Sequence, residues 1–297
     1  ERMALGTCAF TTWLGRDVLG LGFKVCNKDC FGASVTDALL TFHASASVVR
    51  IRKVSASNNG PLAIATMRWP LVNAAWSATG VVAWLQPDGS HPWWFEYVWR
   101  CNAQVQACLV VVSWLTVRAM LRALGWLTPR ASQGLWCLAI AHGLVFALIT
   151  SRPATCAFQD YVLFGGANLS PPLLSLFVLL ISVAHKHKLP ASHPLCQAIV
   201  AAVPFWVGNA GILLGRSAGP AAWLNCILPT WWQWEEMATF HVFGGIGNEL
   251  LWRAFAWMAE AEATAMRQVH ANVMPPDSWL ERALGEPHAS SSKPKLR

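Results

Sequence analysis

The sequence predicts an all-α fold, a polytopic membrane helix bundle of about seven transmembrane helices. Three observations predict it. Only 12% of the 297 residues are charged and 55% are hydrophobic, whereas an ordinary soluble domain carries about 25% charged residues. Apolar runs recur along the chain, and backbone in hydrocarbon must satisfy its own hydrogen bonds, which makes such runs helices. Positive charge also alternates between successive connections, as expected of a chain threading a bilayer repeatedly.

The N-terminal stretch, residues 1–33, is Gly-rich and mixed, and holds no run approaching the ~20 apolar residues of a span. It is expected to be an extramembrane segment. The chain opens on Glu1, so a start upstream of it is expected, and no signal-peptide pattern is visible. The bundle is expected over residues 34–258. Its first segment, Val35 to Val49, is short and polar. The second runs from Pro61 to Leu85, the third from Val98 to Leu121 and the fourth from Gly134 to Ile149. The fifth, Pro171 to Ala184, opens on a Pro-Pro pair that suits a helix N-terminus. The sixth runs from Leu195 to Leu214 and the seventh from Met237 to Met258. Residues 259–297 form a C-terminal amphipathic helix and tail: helix continues through Asn272, stops before Pro275-Pro276, and restarts for a short turn from Trp279 to Leu284 capped by Asp277 or Ser278. The Ser- and Lys-rich end has a disordered composition.

Connection charges place the two ends of the spans. Arg50, Arg52 and Lys53 follow the first segment, Arg122 and Arg130 the third, and Lys186 and Lys188 the fifth. They share a side with the tail, which carries Arg267, Arg282, Lys293, Lys295 and Arg297. The other side offers Arg152, Arg216 and no Lys or Arg between Gln86 and Trp99. The C-terminus is therefore expected on the cytoplasmic, matrix or stromal side of an integral membrane protein, although Arg2, Arg16, Lys24 and Lys28 then lie on the far side. The formal charge of +7 is spread over loops and tail, which excludes a nucleic-acid-binding face. The expected partner is the lipid bilayer, with other membrane subunits as further candidates. The 18 Trp against 2 Tyr fit either interfacial belts, as at Trp93, Trp94, Trp231, Trp232 and Trp234, or the codon bias of a G- and C-rich genome.

Ionisable residues inside the spans are the first candidates for function, because they are costly in lipid. Glu96, at the mouth of the third segment, reads either as a counter-ion or proton-binding carboxylate or as an interfacial charge, with Arg100 one turn away. In the seventh segment Glu249 and Arg253 lie four apart and read as a structural ion pair. Glu235 and Glu236 suit the N-terminal dipole of that helix. Metal spacing is weak: His142 and His241 are the candidate metal ligands, with His43 as a third imidazole, but none has a His partner three or four residues away. Cys26, Cys30, Cys156 and Cys226 map to the sparsely charged side, where disulfides and free thiols are both open readings. Gly244-Gly245-Ile246-Gly247 follows no strand and is not a nucleotide loop; small residues there allow close helix or ligand approach. Pro204, Gly208 and Gly211 mark a weak point in the sixth segment.

Trp94-Phe95-Glu96-Tyr97 resembles the W-x-E-Y motif on the third helix of the heliorhodopsins, seven-helix retinal proteins. Phe205 and Asn209 resemble that family's F-x-x-x-N pattern, Phe42-His43 its Phe-His pair, and Glu236, Ala238, Leu250, Trp252 and Phe255 its seventh-helix spacing. The resemblance implies a pocket holding Glu96, Asn209, Gly247, Trp252 and His43, with Glu96 as counter-ion. The retinal-bearing Lys of the family would fall at Gly247, and no Lys occurs between Lys188 and Lys293. Covalent retinal is therefore not expected, and a non-covalent pigment or lipid is. The tail-inside orientation also differs from the inverted one of that family. Ala238, His241, Gly245 and Gly247 are similar to part of the H-A-W-W-H-x-x-x-G-x-G segment of alkaline ceramidases, with Met237 in place of the first His.

The expected function is a non-enzymatic, rhodopsin-like membrane protein: a sensor or scaffold with a non-covalent ligand pocket. Two alternatives follow: an accessory structural subunit of a photosynthetic or respiratory complex in the thylakoid or inner mitochondrial membrane, and a ceramidase-like zinc hydrolase.

Overall fold

The computed structural model describes residues 31–55, 60–84, 95–150, 154–214, 236–268 and 278–285. Among them the protein is helical, without strands. The helices are α1 (Phe31–Ser55), α2 (Pro61–Trp84), α3 (Phe95–Ala123), α4 (Pro129–Thr150), α5 (Ala154–Lys186), α6 (Pro194–Val200), α7 (Ala202–Leu214), α8 (Glu236–Gln268) and α9 (Trp279–Gly285). Among the described residues, three stretches are long and apolar enough to cross a membrane: Arg100–Ala123, Pro129–Leu148 and Leu169–Lys186. Pro194–Gly208 is apolar but shorter. The helices α1 and α8 fall short of that hydropathy for a visible reason. They carry Asp37, Arg50, Arg52 and Lys53, and Glu249, Arg253, Glu260 and Glu262.

Several expected boundaries shift. The first helix starts at Phe31 and runs 25 residues, well beyond Val35 to Val49 at both ends. The Pro171-Pro172 pair lies inside α5, which begins at Ala154 rather than at the prolines; a proline removes one backbone donor but does not prevent helix on either side. The sixth segment is two helices that meet at Ala201. Pro204 explains the break, since it has no N–H to return to the carbonyl of Val200. The seventh helix extends to Gln268, and the rest of its expected continuation lies outside the described residues. The short turn after Pro275-Pro276 is α9, preceded by Ser278 at φ 80°.

Helix ends follow the local chemistry. At the end of α3, Gly125 takes φ 71°, its N–H donates to Arg122 O at 2.9 Å, and the Trp126 N–H reaches back to Leu121 O at 2.9 Å. This pairing satisfies the last carbonyls of the helix and needs a left-handed residue. Lys188 fills the same role after α5, at φ 49°, with Leu189 N–H donating to Ala184 O at 3.0 Å. His193 caps α6, its Nδ1 accepting from Leu195 N–H at 3.2 Å.

The helices pack in a closed order. Each of α1 to α5 touches the next, α5 reaches α6, α7 packs on α8, and α8 closes back onto α1 while also covering α2. Trp252, Phe255 and Met258 of α8 share one buried core with Ile51, Leu62 and Trp69, and the Trp69 and Phe255 rings lie 5.5 Å apart. Polar side chains tie neighbours together. Asn102 accepts from Trp76 Nε1 at 3.0 Å and donates to Thr79 Oγ1 at 2.7 Å, joining α2 to α3. Trp114 Nε1 donates to His142 Nδ1 at 2.9 Å, and Arg118 Nε donates to Ser132 O at 2.8 Å, joining α3 to α4. Bonds of this kind contribute about 0.6 kcal/mol each in a membrane bundle. At the end of α5, Lys186 pairs with Glu281 of α9 and lies over the Trp126 ring, 4.9 Å from its centroid. Trp126 Nε1 also donates to Glu281 at 3.1 Å. These contacts hold the Glu281 carboxyl below its ordinary pKa, the Lys186 hydrogen bond being the largest cause.

Candidate functional site: the cleft between α1 and α8

Polar contacts between α1 and α8 advance in the same direction along both helices, so the two run parallel. The contacts begin at Thr36 and Asp37 with His241 and continue at His43 and Arg50 with Glu249. Eight residues separate His241 from Glu249, about 12 Å of helix. Gly245 lies between them and lets the helices approach: a Cβ there would sit 3.0 Å from Leu40 Cδ2.

The upper end of the seam is a buried polar group. His241 Nδ1 lies 2.9 Å from Thr36 Oγ1, and His241 Nε2 lies 3.5 Å from Asp37 Oδ1. The His241 and Asp37 side chains are 2% and 5% exposed. Nε2 faces the Asp37 carboxylate, and Nδ1 shares a hydrogen bond with the Thr36 hydroxyl whose direction follows the tautomer of the ring. Gly80 of α2 backs this group so closely that a Cβ would meet Asp37 Oδ2 at 2.2 Å.

The lower end is an ionic cluster centred on Glu249. Its Oε2 lies 2.7 Å from His43 Nε2. Its Oε1 accepts from Arg253 Nε at 2.7 Å and from Arg50 Nη1 at 3.2 Å. The His43 ring also packs on Trp252, with centroids 4.6 Å apart. Two guanidiniums thus share one carboxylate, an arrangement that leaves the cluster net positive.

A cavity of about 540 Å³ lies along the seam, with Leu39, Leu40, Val242, Ile246 and Leu250 as its apolar wall. Thr36 and His241 line one end and His43, Glu249 and Arg253 the other. The cavity is a groove open to the outside of the bundle, since Leu39, Phe42 and Ile246 are exposed. A mostly apolar concavity with a few convergent polar groups is the ordinary form of a small-ligand site.

The residues singled out from the sequence scatter around this cleft. His43 and His241 line it. Trp252 backs His43 from the core. Gly247 faces the other way, onto α7, where the Phe205 ring lies 3.0 Å from the position a Cβ would take. Gly247 carries no amine and Phe205 fills the space of any side chain there, so the residues present do not fit a covalently held retinal. The side chains of Glu96 and Asn209 lie outside the described residues, as do Cys26, Cys30, Cys226 and the side chain of Cys156. His142 belongs to a different helix pair, bonded to Trp114. Among the described residues no three His, Cys, Asp or Glu side chains gather as a metal-ligand set.

Sequence reasoning missed Thr36, Asp37 and the role of Arg50. The signal was present: Asp37 is the only acidic residue between Cys30 and Pro87, and a carboxylate isolated in a spanning segment points to a partner across the bundle. Comparison with known proteins finds no matching family model, no matching curated sequence and no matching solved structure.

Proposed function

We propose that this chain is a seven-helix membrane protein that holds an apolar small molecule non-covalently in the cleft between α1 and α8, as a sensor or scaffold rather than an enzyme. The observation that carries the reading is the cleft itself: a largely apolar groove of about 540 Å³ closed at each end by polar side chains of the same two helices. Rods α1 to α5, the broken rod α6–α7, and α8 supply seven crossings. In this reading the polar residues that lower the hydropathy of α1 and α8 are neutralised against one another across the seam, which makes both helices compatible with lipid. The end of α1 that carries Arg50, Arg52 and Lys53 then faces the cytoplasm, matrix or stroma.

The test is extraction. Protein purified in mild detergent is extracted with organic solvent, and absorbance is recorded before and after hydroxylamine. The expected result is an apolar molecule in roughly stoichiometric amount, released by solvent alone and indifferent to hydroxylamine. An empty extract, or a visible band bleached by hydroxylamine, contradicts it.

A second reading, an accessory subunit of an organellar membrane complex, draws on α4. That helix exposes Trp136, Leu138, Leu144, Val145 and Leu148 around much of its circumference, a surface that a neighbouring subunit would cover in place of lipid. Migration of the native protein as a free monomer on a mild-detergent gel rules this reading out.

A further inference from the structure

The lower end of the cleft carries a charge that the apolar wall does not explain. Arg50 and Arg253 converge on Glu249 from α1 and α8, and their side chains remain 45% and 56% exposed. One carboxylate cannot neutralise two guanidiniums, and Arg52 and Lys53 stand exposed in the last turn of α1 at the same end of the helix. Directly above this cationic end, the groove between Leu39, Ile246 and Leu250 is apolar and open to the outside of the bundle. An occupant that complements both halves has a negative head and a hydrocarbon chain, in line along the helix axis. Guanidinium pairs recognise phosphate oxygens with matching fork geometry.

We propose that the α1–α8 cleft is a specific site for an anionic phospholipid. Its phosphodiester head sits between Arg50 and Arg253, and one acyl chain lies in the groove and ends near Thr36 and His241. This inference rests on the membrane reading above and names the class of molecule held. Glu249 has a defined part in it. By holding both guanidiniums on the same carboxylate oxygen it gathers them at the Arg253 end of the groove, and by cancelling one charge it limits the strength of the site.

The experiment titrates the full-length protein in neutral detergent with phosphatidylglycerol or phosphatidylcholine and counts bound lipids by native mass spectrometry. One phosphatidylglycerol is expected to bind roughly tenfold more tightly than phosphatidylcholine, as two basic side chains near a headgroup predict. The variant R50Q/R253Q should lose that preference and keep phosphatidylcholine binding. E249Q should increase the preference, which keeps the proposal testable if the double variant does not fold. I246W fills the groove and should weaken both lipids. Equal affinities in the wild type, an unchanged preference in R50Q/R253Q, or displacement by inorganic phosphate alone overturns the headgroup assignment. Equal binding that I246W still weakens overturns only that assignment. Binding of neither lipid, a lipid-free dimer, or indifference to I246W removes the apolar-cleft reading as well.

Discussion

His43 Nε2 and Glu249 Oε2 lie 2.7 Å apart, joining the first described helix of the chain to the last long one. Because Glu249 also takes Arg50 and Arg253, its removal leaves three basic side chains facing one another. Glu249→Ala is expected to destabilise the folded protein by about 2 kcal/mol, between the small worth of an exposed pair and the large cost of stranding buried charge. His43→Gln alone should cost less. A double-mutant cycle in a detergent unfolding assay measures the coupling, and additive effects of the two changes contradict the contact.

Glu262 makes a cap across the bundle rather than along the chain. Its carboxylate accepts from the N–H groups of Leu62 and Ala63, at 3.1 and 2.7 Å, at the start of α2. Those amides have no partner within their own helix. The arrangement depends on Gly60, where a Cβ would lie 2.1 Å from Glu262 Cδ. Gly60→Ala should therefore cost about 2 kcal/mol by overpacking, whereas Glu262→Gln, which keeps one acceptor, should cost about 1 kcal/mol. Thermal denaturation of the two variants gives the order.

Glycines elsewhere should respond according to their surroundings. Gly80→Ala would drive a methyl group into Asp37 Oδ2 and displace the carboxylate from His241, at about 2 kcal/mol. Gly244 has nothing within 4 Å of its absent Cβ, so Gly244→Ala should stabilise the helix by up to about 1 kcal/mol. Opposite signs for the two substitutions are the outcome to check by unfolding temperature.

Docking of α9 is expected to depend on pH. Pairing with Lys186 and Trp126 depresses the pKa of Glu281. A depressed carboxyl contributes stability above its unfolded value, about 4.3, and loses it as pH falls through the lower folded value. Unfolding temperature should therefore drop below about pH 4.3 in the wild type, and this part of the drop should be absent in Glu281→Gln. At neutral pH that variant should cost about 0.5 kcal/mol, as suits a pair at the surface. Identical acid profiles for the two proteins contradict the pairing.

Much of the helical plan was legible because it rests on apolar runs and on Pro and Gly punctuation. Pro61 does open a helix and α9 does begin at Trp279, while Pro129 and Pro194 open helices ahead of the starts expected at Gly134 and Leu195. Pro171-Pro172 was misread because a helix start and a helix interior share that signature when the preceding turn is also helical. The cleft was only half legible. His43, His241, Glu249 and Arg253 stand out as polar residues in apolar segments, but which of them meet depends on α1 closing against α8, a contact between residues about 200 positions apart in the chain. Asp37 stands out in the sequence as an isolated carboxylate, but its partner His241 emerges only from the packing. The Gly244 to Gly247 run was rightly read as permitting close approach, while its two faces, one toward Leu40 and one toward Phe205, emerge only from the packing.

The central claim is that the α1–α8 groove opens toward lipid. A nitroxide at Ile246→Cys, in protein whose native cysteines are replaced and which is reconstituted in vesicles, tests it most directly by power-saturation electron paramagnetic resonance. The account predicts high collision with oxygen and low collision with a water-soluble nickel chelate, both changing when phosphatidylglycerol is added. Greater access to the nickel chelate than to oxygen at this position would contradict it.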